Sequence, residues 1–117
     1  MTQPHLEIPE QEPLAARLAP QLLQLLTAYG DGDLAAFSAL LPPDFVAGEY
    51  GAERFHKGSL QFRERFGPCL RLTFLTRLRR GHDTLLLWKG AFSSCEDELL
   101  LHLKIGGEER VEGFWIV

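Results

Sequence analysis

The amino-acid sequence predicts an α+β domain in which two or three N-terminal helices pack on a curved, four-stranded antiparallel sheet. Apolar residues recur three or four positions apart before Pro68 and two positions apart after it. Turns containing glycine or polar residues divide the second part of the chain into segments of strand length. Because the chain has 117 residues and 45% of them are hydrophobic, one domain with one core is expected.

The composition argues against several classes of partner. The formal net charge is −4, so the chain lacks the positive field that nonspecific nucleic-acid binding requires. No stretch approaches the roughly 20 apolar residues of a membrane span, and the N-terminal segment does not resemble a secretory signal. A cytoplasmic protein without nucleic-acid or membrane partners is therefore expected. No nucleotide- or metal-binding motif occurs, so no cofactor is predicted.

Residues 1–13 predict a disordered or extended leader outside the core, because they contain three prolines, several acids and no periodicity. The single domain is then expected to occupy residues 14–117. Its first helix is predicted from Leu14 to Gly30, with Pro20 either kinking the helix or lying in its first turn. The apolar stripe of this helix comprises Leu18, Leu22, Leu25, Leu26 and Tyr29.

A second helix is predicted from Leu34 to Leu41. Asp33 can cap its start by accepting from a free backbone amide, and the prolines that follow Leu41 end it. Residues 44–50 are predicted to form a loop or a short strand.

A third helix is predicted from Ala52 to Phe66, where three phenylalanines share one stripe. Gly58 weakens this prediction, because a glycine inside a helix costs about 1 kcal/mol relative to alanine. Gly67-Pro68 is expected to end the helix.

Four strands are predicted after Pro68. The first ends at the two-residue turn Gly81-His82, and the others are expected at 83–92, 98–105 and 109–117. An uninterrupted register from that turn opposes Phe74 to Lys89. The same reasoning opposes Thr76 to Leu87, Leu72 to Ala91, Leu103 to Val111, Leu99 to Trp115, His102 to Glu112 and Cys69 to Ser94.

This register divides the sheet into two faces. The inner face, toward the helices, is expected to comprise Leu70, Leu72, Phe74, Leu78, Leu85, Leu87, Leu99, Leu101, Leu103, Ile105, Val111 and Trp115. The opposite face is also rich in apolar residues, which indicates either an interface or a cover formed by the leader or a helix. A homodimer is the preferred interpretation. The interface candidates are Leu75, Leu86, Trp88, Leu100, His102, Phe114 and Ile116.

The order of helix, Gly-Asp turn, two further helices and antiparallel sheet resembles the cone-shaped nuclear transport factor 2-like superfamily, also called cystatin-like. The matching stretches are LLQLLTAYGDGDLAAFSALLPPDF at residues 22–45 and VEGFWIV at residues 111–117. With Trp88-Lys89-Gly90, the chain looks closest to small bacterial domains of unknown function. The superfamily includes isomerases, dehydratases, ring-hydroxylating subunits, binding domains and dimerisation modules, so the resemblance implies a fold and no single function.

Five residues are candidates for lining a pocket. Glu49, Tyr50, Glu53 and His56 cluster where the loop meets the third helix, and the last two share a helical face as a carboxylate and a base would. The alternative is a solvated helix surface. Lys89 is expected on the inner face, where it either pairs with an acid, lines a pocket or extends its charge to the end of the sheet.

The leading hypothesis is a non-catalytic homodimer that holds a small apolar ligand between the sheet and the helices. The alternatives are a small enzyme of the isomerase or dehydratase kind and a module that binds another protein through the second face. A core filled by Phe55, Phe62, Phe74 and Trp115 would exclude the enzyme hypothesis, because it would leave no pocket for a substrate.

Two further groups of residues carry weaker signals. Cys69 and Cys95 are expected to lie side by side, either as a pair that forms a reversible disulfide or, as a reducing compartment favours, as two reduced thiols. A basic strip along the first strand meets either solvent or an acidic partner, and it comprises Arg71, Arg77, Arg79 and Arg80.

Overall fold

The computed structural model describes residues 3–117 and shows four helices packed on a five-stranded sheet. The α+β class is therefore confirmed, but the sheet has one strand more than predicted and is mixed rather than antiparallel. Met1 and Thr2, the start of the predicted leader, lie outside the described residues.

The first helix, α1, spans Pro13–Asp31. Pro20 lies inside it, exposed, rather than in its first turn. Gly32 ends the helix in the left-handed conformation, at φ 72°, where glycine carries no side-chain penalty. The buried stripe comprises Ala15, Leu18, Ala19, Leu22, Leu25, Leu26 and Ala28.

Helix α2 spans Leu34–Ala39, and the Asp33 carboxylate accepts from the Ala36 amide at 3.1 Å, as predicted. The segment predicted as a loop or strand is helical instead. Pro43–Phe45 forms α3, which continues into a π-helical turn at Val46–Tyr50. Pro43 suits the first position of a helix, because that position needs no amide hydrogen.

Helix α4 spans Ala52–Phe66, as predicted, and buries Phe55, Ser59 and Phe62. The Ser59 hydroxyl donates to the carbonyl of Tyr29 on α1. Gly58 is required by packing, since a Cβ at this position would fall on the Tyr29 hydroxyl.

The strands are β1 His5–Glu7, β2 Cys69–Arg80, β3 Asp83–Phe92, β4 Cys95–Ile105 and β5 Val111–Ile116, in that order across the sheet. β1 pairs parallel to β2, and the other neighbours are antiparallel. Leu6 and Ile8 pack against the core, so the expectation that the leader stays outside it is wrong. Gly81 takes the predicted positive φ in the β2–β3 turn.

A bulge at Leu75 changes the register between β2 and β3. Thr76 lies opposite Leu87 as predicted, but Phe74 lies opposite Trp88 and not Lys89. One extra residue on one strand moves every later side chain of the partner to the other face. Leu72 accordingly faces Gly90 instead of Ala91.

Because of this bulge, the β3 residues that face the helices are the alternate apolar ones. Leu86 and Trp88 are fully buried and Phe92 nearly so, whereas Leu85, Leu87 and Lys89 were predicted there and face outward. The observed register buries the indole ring of Trp88. The predicted register would instead bury the ammonium group of Lys89, and burying a charge without a partner costs free energy.

The last hairpin differs in the same way. An irregularity between Lys104 and Ile105 sets Ile105 opposite Val111 and Leu103 opposite Phe114. Phe114 is therefore buried, while Trp115 faces outward opposite His102, which does not meet Glu112.

The core lies between the helices and the inner face of the sheet. Phe55 is fully buried and its ring centroid lies 5.3 Å from that of Tyr29 and 4.9 Å from that of Phe37. Such edge-to-face and tilted contacts favour a densely packed aromatic centre. Phe62 and Phe74 also belong to the core, but Trp115 does not.

Candidate functional site

The residues predicted to line a pocket do not meet in one cavity. Glu49 is exposed at the end of the π-helical turn, and its carboxylate accepts from the Trp115 indole nitrogen at 3.4 Å. Glu53 and His56 lie on the exposed surface of α4. Their positions match the alternative in which the Glu-His pair is a solvated helix surface.

Tyr50 is a packing residue. Its hydroxyl donates to the Phe114 carbonyl at 2.7 Å, and its ring lies 4.9 Å from that of Phe37. Burial, with smaller contributions from Tyr29 and Glu49, raises the pKa of Tyr50 above its ordinary value. The hydroxyl therefore stays protonated near neutral pH and joins the helices to β5.

Lys89 lies on the outward side of β3, contrary to the prediction. Its ammonium group is 3.5 Å from the Glu98 carboxylate, and both side chains are about half exposed. Exposed pairs of this kind contribute roughly 0–1 kcal/mol to stability. Lys89 therefore cannot supply a base or a cation to the space between the sheet and the helices.

A cleft of about 310 Å³ opens where the C-terminal ends of α1 and α4 meet the sheet. Its volume falls at the lower end of the range of small-molecule sites. The lining is mainly apolar and comprises Pro4, Leu23, Leu26, Thr27, Gly30, Asp31, Phe62, Arg63, Gly67, Pro68, Cys69 and Phe92.

Aromatic packing forms the deep wall of the cleft. The rings of Phe62 and Phe92 meet edge to face, with centroids 5.3 Å apart, and both side chains are buried. Gly30 also lines the cleft and leaves open space there, since a Cβ added at this position would meet no atom within 4 Å. The turn between β3 and β4 lies beside the cleft. Its Ser94 amide donates to the carbonyl of Phe66, the last residue of α4, at 2.9 Å.

Four polar side chains border the apolar lining: Thr27, Asp31, Arg63 and Cys69. Arg63 and Asp31 are exposed, and within residues 3–117 neither forms an ion pair. The Cys69 thiol donates to the Arg71 carbonyl at 3.5 Å. Burial raises the pKa of the Cys69 thiol to about 11, so it is neutral near pH 7 and adds to the apolar character of the cleft.

The two cysteines do not lie side by side. Cys69 on β2 and Cys95 on β4 both pair with Phe92, which lies between them on β3. Two strand spacings separate them by about 10 Å, beyond the reach of a disulfide. Both are free thiols.

The outer face of the sheet has a composition different from the predicted one. Leu86, Trp88 and Phe114 are fully buried on the helix side, and Ile116 packs there too, so these four cannot form the predicted interface. We use the term outer face for the opposite side of the sheet, where the register places, besides Lys89, the apolar and aromatic residues Leu78, Leu85, Leu87, Leu100, His102 and Trp115. Leu75, in the bulge, is 49% exposed.

His102 lies at the centre of the outer face. It stands between Leu87 and Trp115 in the register, and its ring lies 6.5 Å from the indole. Its Nε2 atom is buried and has no hydrogen-bond partner within the described chain. Such a group is usually satisfied by a protein partner or water.

Among residues 3–117, no group of three or more His, Cys, Asp or Glu side chains is arranged to hold a metal ion. No helix in this part of the chain combines the length and apolar character needed to span a membrane. Comparison with protein-family models, curated proteins and solved structures found no significant match to the chain.

The sequence contains only a faint signal for the cleft. Gly30, Gly67 and Pro68 are small or rigid residues at helix ends, where turns are expected in any case. The lining comes from separated parts of the chain, so it could be recognised only after the fold was known.

Proposed function

We propose that the chain is a non-catalytic domain that binds a small apolar ligand in the cleft at the ends of α1 and α4. The observation that carries this proposal is a largely apolar space of about 310 Å³ between the helices and the sheet. Apolar walls with a few polar groups at the margin are the usual composition of small-molecule sites. Arg63 at that margin can meet a polar or acidic head group.

The dispersal of the candidate acid–base residues supports binding rather than catalysis. General acid–base catalysis requires a side chain within hydrogen-bonding reach of the reacting group. Glu53 and His56 point to solvent, and Lys89 lies across the sheet from the cleft. Phe55, Phe62 and Phe74 fill the centre of the core, where the enzyme alternative needs an open pocket.

Decanoate is a suitable probe, because it combines an apolar chain with an acidic head. Titration monitored by amide NMR shifts is expected to perturb residues along the cleft, with Leu26, Arg63 and Cys69 among them. Shifts confined to the outer face, or no saturable binding, would contradict the proposed site.

A leucine at position 30 provides a specific test, because the side chain would enter open space in the cleft. It would displace ligand contacts equivalent to about two methylene groups at about 0.8 kcal/mol each, so the Kd for decanoate should rise roughly tenfold. Gly48→Leu is the matched control, since position 48 is equally open and does not line the cleft. Equal affinities of Gly30→Leu and Gly48→Leu would refute the assignment.

We also propose that two copies associate through the outer face. Supporting this are the half-buried leucines at its centre and the unpartnered Nε2 atom of His102. Light scattering during size-exclusion chromatography should give a mass twice the 13.2 kDa of one chain. Leu87→Glu should lower the measured mass to that of a single chain. A wild-type monomer at high micromolar concentration would contradict the dimer.

Membership of the nuclear transport factor 2-like superfamily remains a proposal. The order of helices followed by a long antiparallel hairpin series supports it. An experimental structure lacking the helices on the inner side of the sheet would contradict it. We also propose a cytoplasmic location. Cell fractionation that recovers the chain elsewhere would contradict it.

A further inference from the structure

One edge of the sheet is only partly occupied. β1 pairs with β2 from Arg71 to Thr73, and no strand within residues 3–117 pairs with that edge from Phe74 to Arg80. The side chains from Leu75 to Arg80 are all exposed. Alternate backbone amides and carbonyls of an edge strand point away from the sheet and can pair with an added strand.

The open part of this edge is strongly basic. It carries Arg77, Arg79 and Arg80 within four residues, although the chain as a whole has a net charge of −4. Arg77 lies 3.6 Å from the Glu12 carboxylate. Arg79 and Arg80 form no ion pair with any residue that the structure describes.

The occupied part of the edge shows which chemistry it accepts. The segment seated there, His5–Glu7, is extended and carries one acid, and the Glu7 carboxylate accepts from the Thr73 hydroxyl at 2.7 Å. The same carboxylate lies 3.9 Å from the Arg71 guanidinium. These interactions lower the pKa of Glu7 below its ordinary value.

We propose that the open edge of β2, from Leu75 to Arg80, binds an extended acidic peptide as an additional strand. The register with β3 sets Arg77 and Arg79 on the helix side and Leu78 on the outer side. A partner strand with acidic residues alternating with apolar ones would therefore oppose a carboxylate to Arg79 and an apolar side chain to Leu78, whereas Arg77 already faces Glu12. Opposite charges and apolar pairs across neighbouring strands are stabilising.

A second copy of the chain does not fit this edge. Antiparallel pairing of two β2 edges about Leu78 would set Arg77 of one copy opposite Arg79 of the other, twice. Like charges directly opposite each other destabilise a strand pair. The arginines therefore disfavour self-pairing and favour an acidic partner.

The direct test uses a fluorescently labelled heptapeptide of alternating glutamate and valine, with alternating lysine and valine as the control. Anisotropy at low ionic strength should show saturable binding of the acidic peptide only. Amide NMR shifts should be largest from Leu75 to Arg80. Binding should weaken in salt, as expected for exposed charges.

Arg79→Glu is the informative variant, since this side chain is exposed and forms no ion pair within residues 3–117. Reversal of one cross-strand charge pair should weaken binding of the acidic peptide about fivefold. Lys57→Glu, an equal charge change on the exposed surface of α4, should leave the affinity within about twofold, because only the general field changes.

Three outcomes would overturn the proposal. These are equal binding of the acidic and basic peptides, shifts centred away from the β2 edge, and equal weakening by Arg79→Glu and Lys57→Glu. Occupation by a second copy has its own signature: Arg79→Glu would strengthen self-association, because the introduced carboxylate of one copy would then face Arg77 of the other.

Discussion

Tyr29 and Gly58 pack so closely that each restricts what the other position can hold. The Tyr29 ring contacts the rings of Phe37, Phe55 and Phe62, with centroids between 5.3 and 5.9 Å. Its hydroxyl occupies the place that a side chain at position 58 would need. The helical glycine is thus explained by the packing of α4 against α1.

A double-mutant cycle tests this pair. Gly58→Ala should destabilise the protein by about 1–2 kcal/mol, because overpacking outweighs the helix propensity of alanine. In the Tyr29→Phe background the same change should stabilise by up to about 1 kcal/mol, since the next nearest atom, Cζ of residue 29, lies 3.5 Å away in ordinary contact. Urea unfolding measures both values. Equal effects in the two backgrounds would show that the hydroxyl is irrelevant.

The register of β3 decides which of its side chains are buried and which are exposed and can take part in function. Trp88 is fully buried, whereas Lys89 is half-exposed beside Glu98. Trp88→Ala should cost about 3–5 kcal/mol of unfolding free energy. Lys89→Ala should change it by less than about 1 kcal/mol. Urea unfolding of the two variants would contradict the register if Lys89→Ala proved the more damaging.

Local chemistry made several elements predictable. The Asp33 cap, helix α4 and the Gly81 turn each follow from a few neighbouring residues, and the structure confirms them. No neighbouring residue indicates the bulge at Leu75, because an alternating strand can pair with or without it, and the two pairings turn opposite sets of side chains toward the core. The inward ammonium of Lys89 in the predicted register was the one warning that the phase was wrong.

An ion pair ties α1 to the turn before β5. Arg17 donates to both carboxylate oxygens of Glu109, at 3.0 and 2.6 Å. The hydrogen bond with Arg17 lowers the pKa of Glu109 below its ordinary value of 4.5. The folded protein therefore binds fewer protons than the unfolded chain as the pH falls through this range.

The stabilisation from this pair is fully present above the pKa of Glu109 in the unfolded chain and is lost as the pH falls through the lower pKa of the folded state. Glu109→Gln should accordingly lower the urea midpoint at pH 7 and have little effect below the folded-state pKa. Glu108→Gln, at the neighbouring and more exposed position, is the control. A difference between wild type and Glu109→Gln that persists unchanged in acid would exclude the ionic origin.

At the scale of the whole molecule, the cleft is a product of topology. Leu26 on α1, Phe62 on α4 and Phe92 on β3 are distant in the chain and meet only when the helices pack over the sheet. The sequence predicted the apolar character of each element, and a ligand site between the sheet and the helices remains a proposal. The predicted cluster around Glu49 and His56 failed to converge because π-helical and α-helical turns direct those side chains to solvent.

Cys69 offers the most direct measurement of the central claim, that the cleft is the ligand site. It lines the cleft, whereas Cys95 does not, so the two thiols report on the site and on an internal reference in one molecule. Alkylation by iodoacetamide at about pH 9, where the raised pKa of Cys69 still leaves a small fraction of thiolate, followed by peptide mass spectrometry, gives both rates. Saturating decanoate should slow the reaction of Cys69 several-fold and leave that of Cys95 unchanged. Unchanged or equally slowed rates at saturation would contradict the claim.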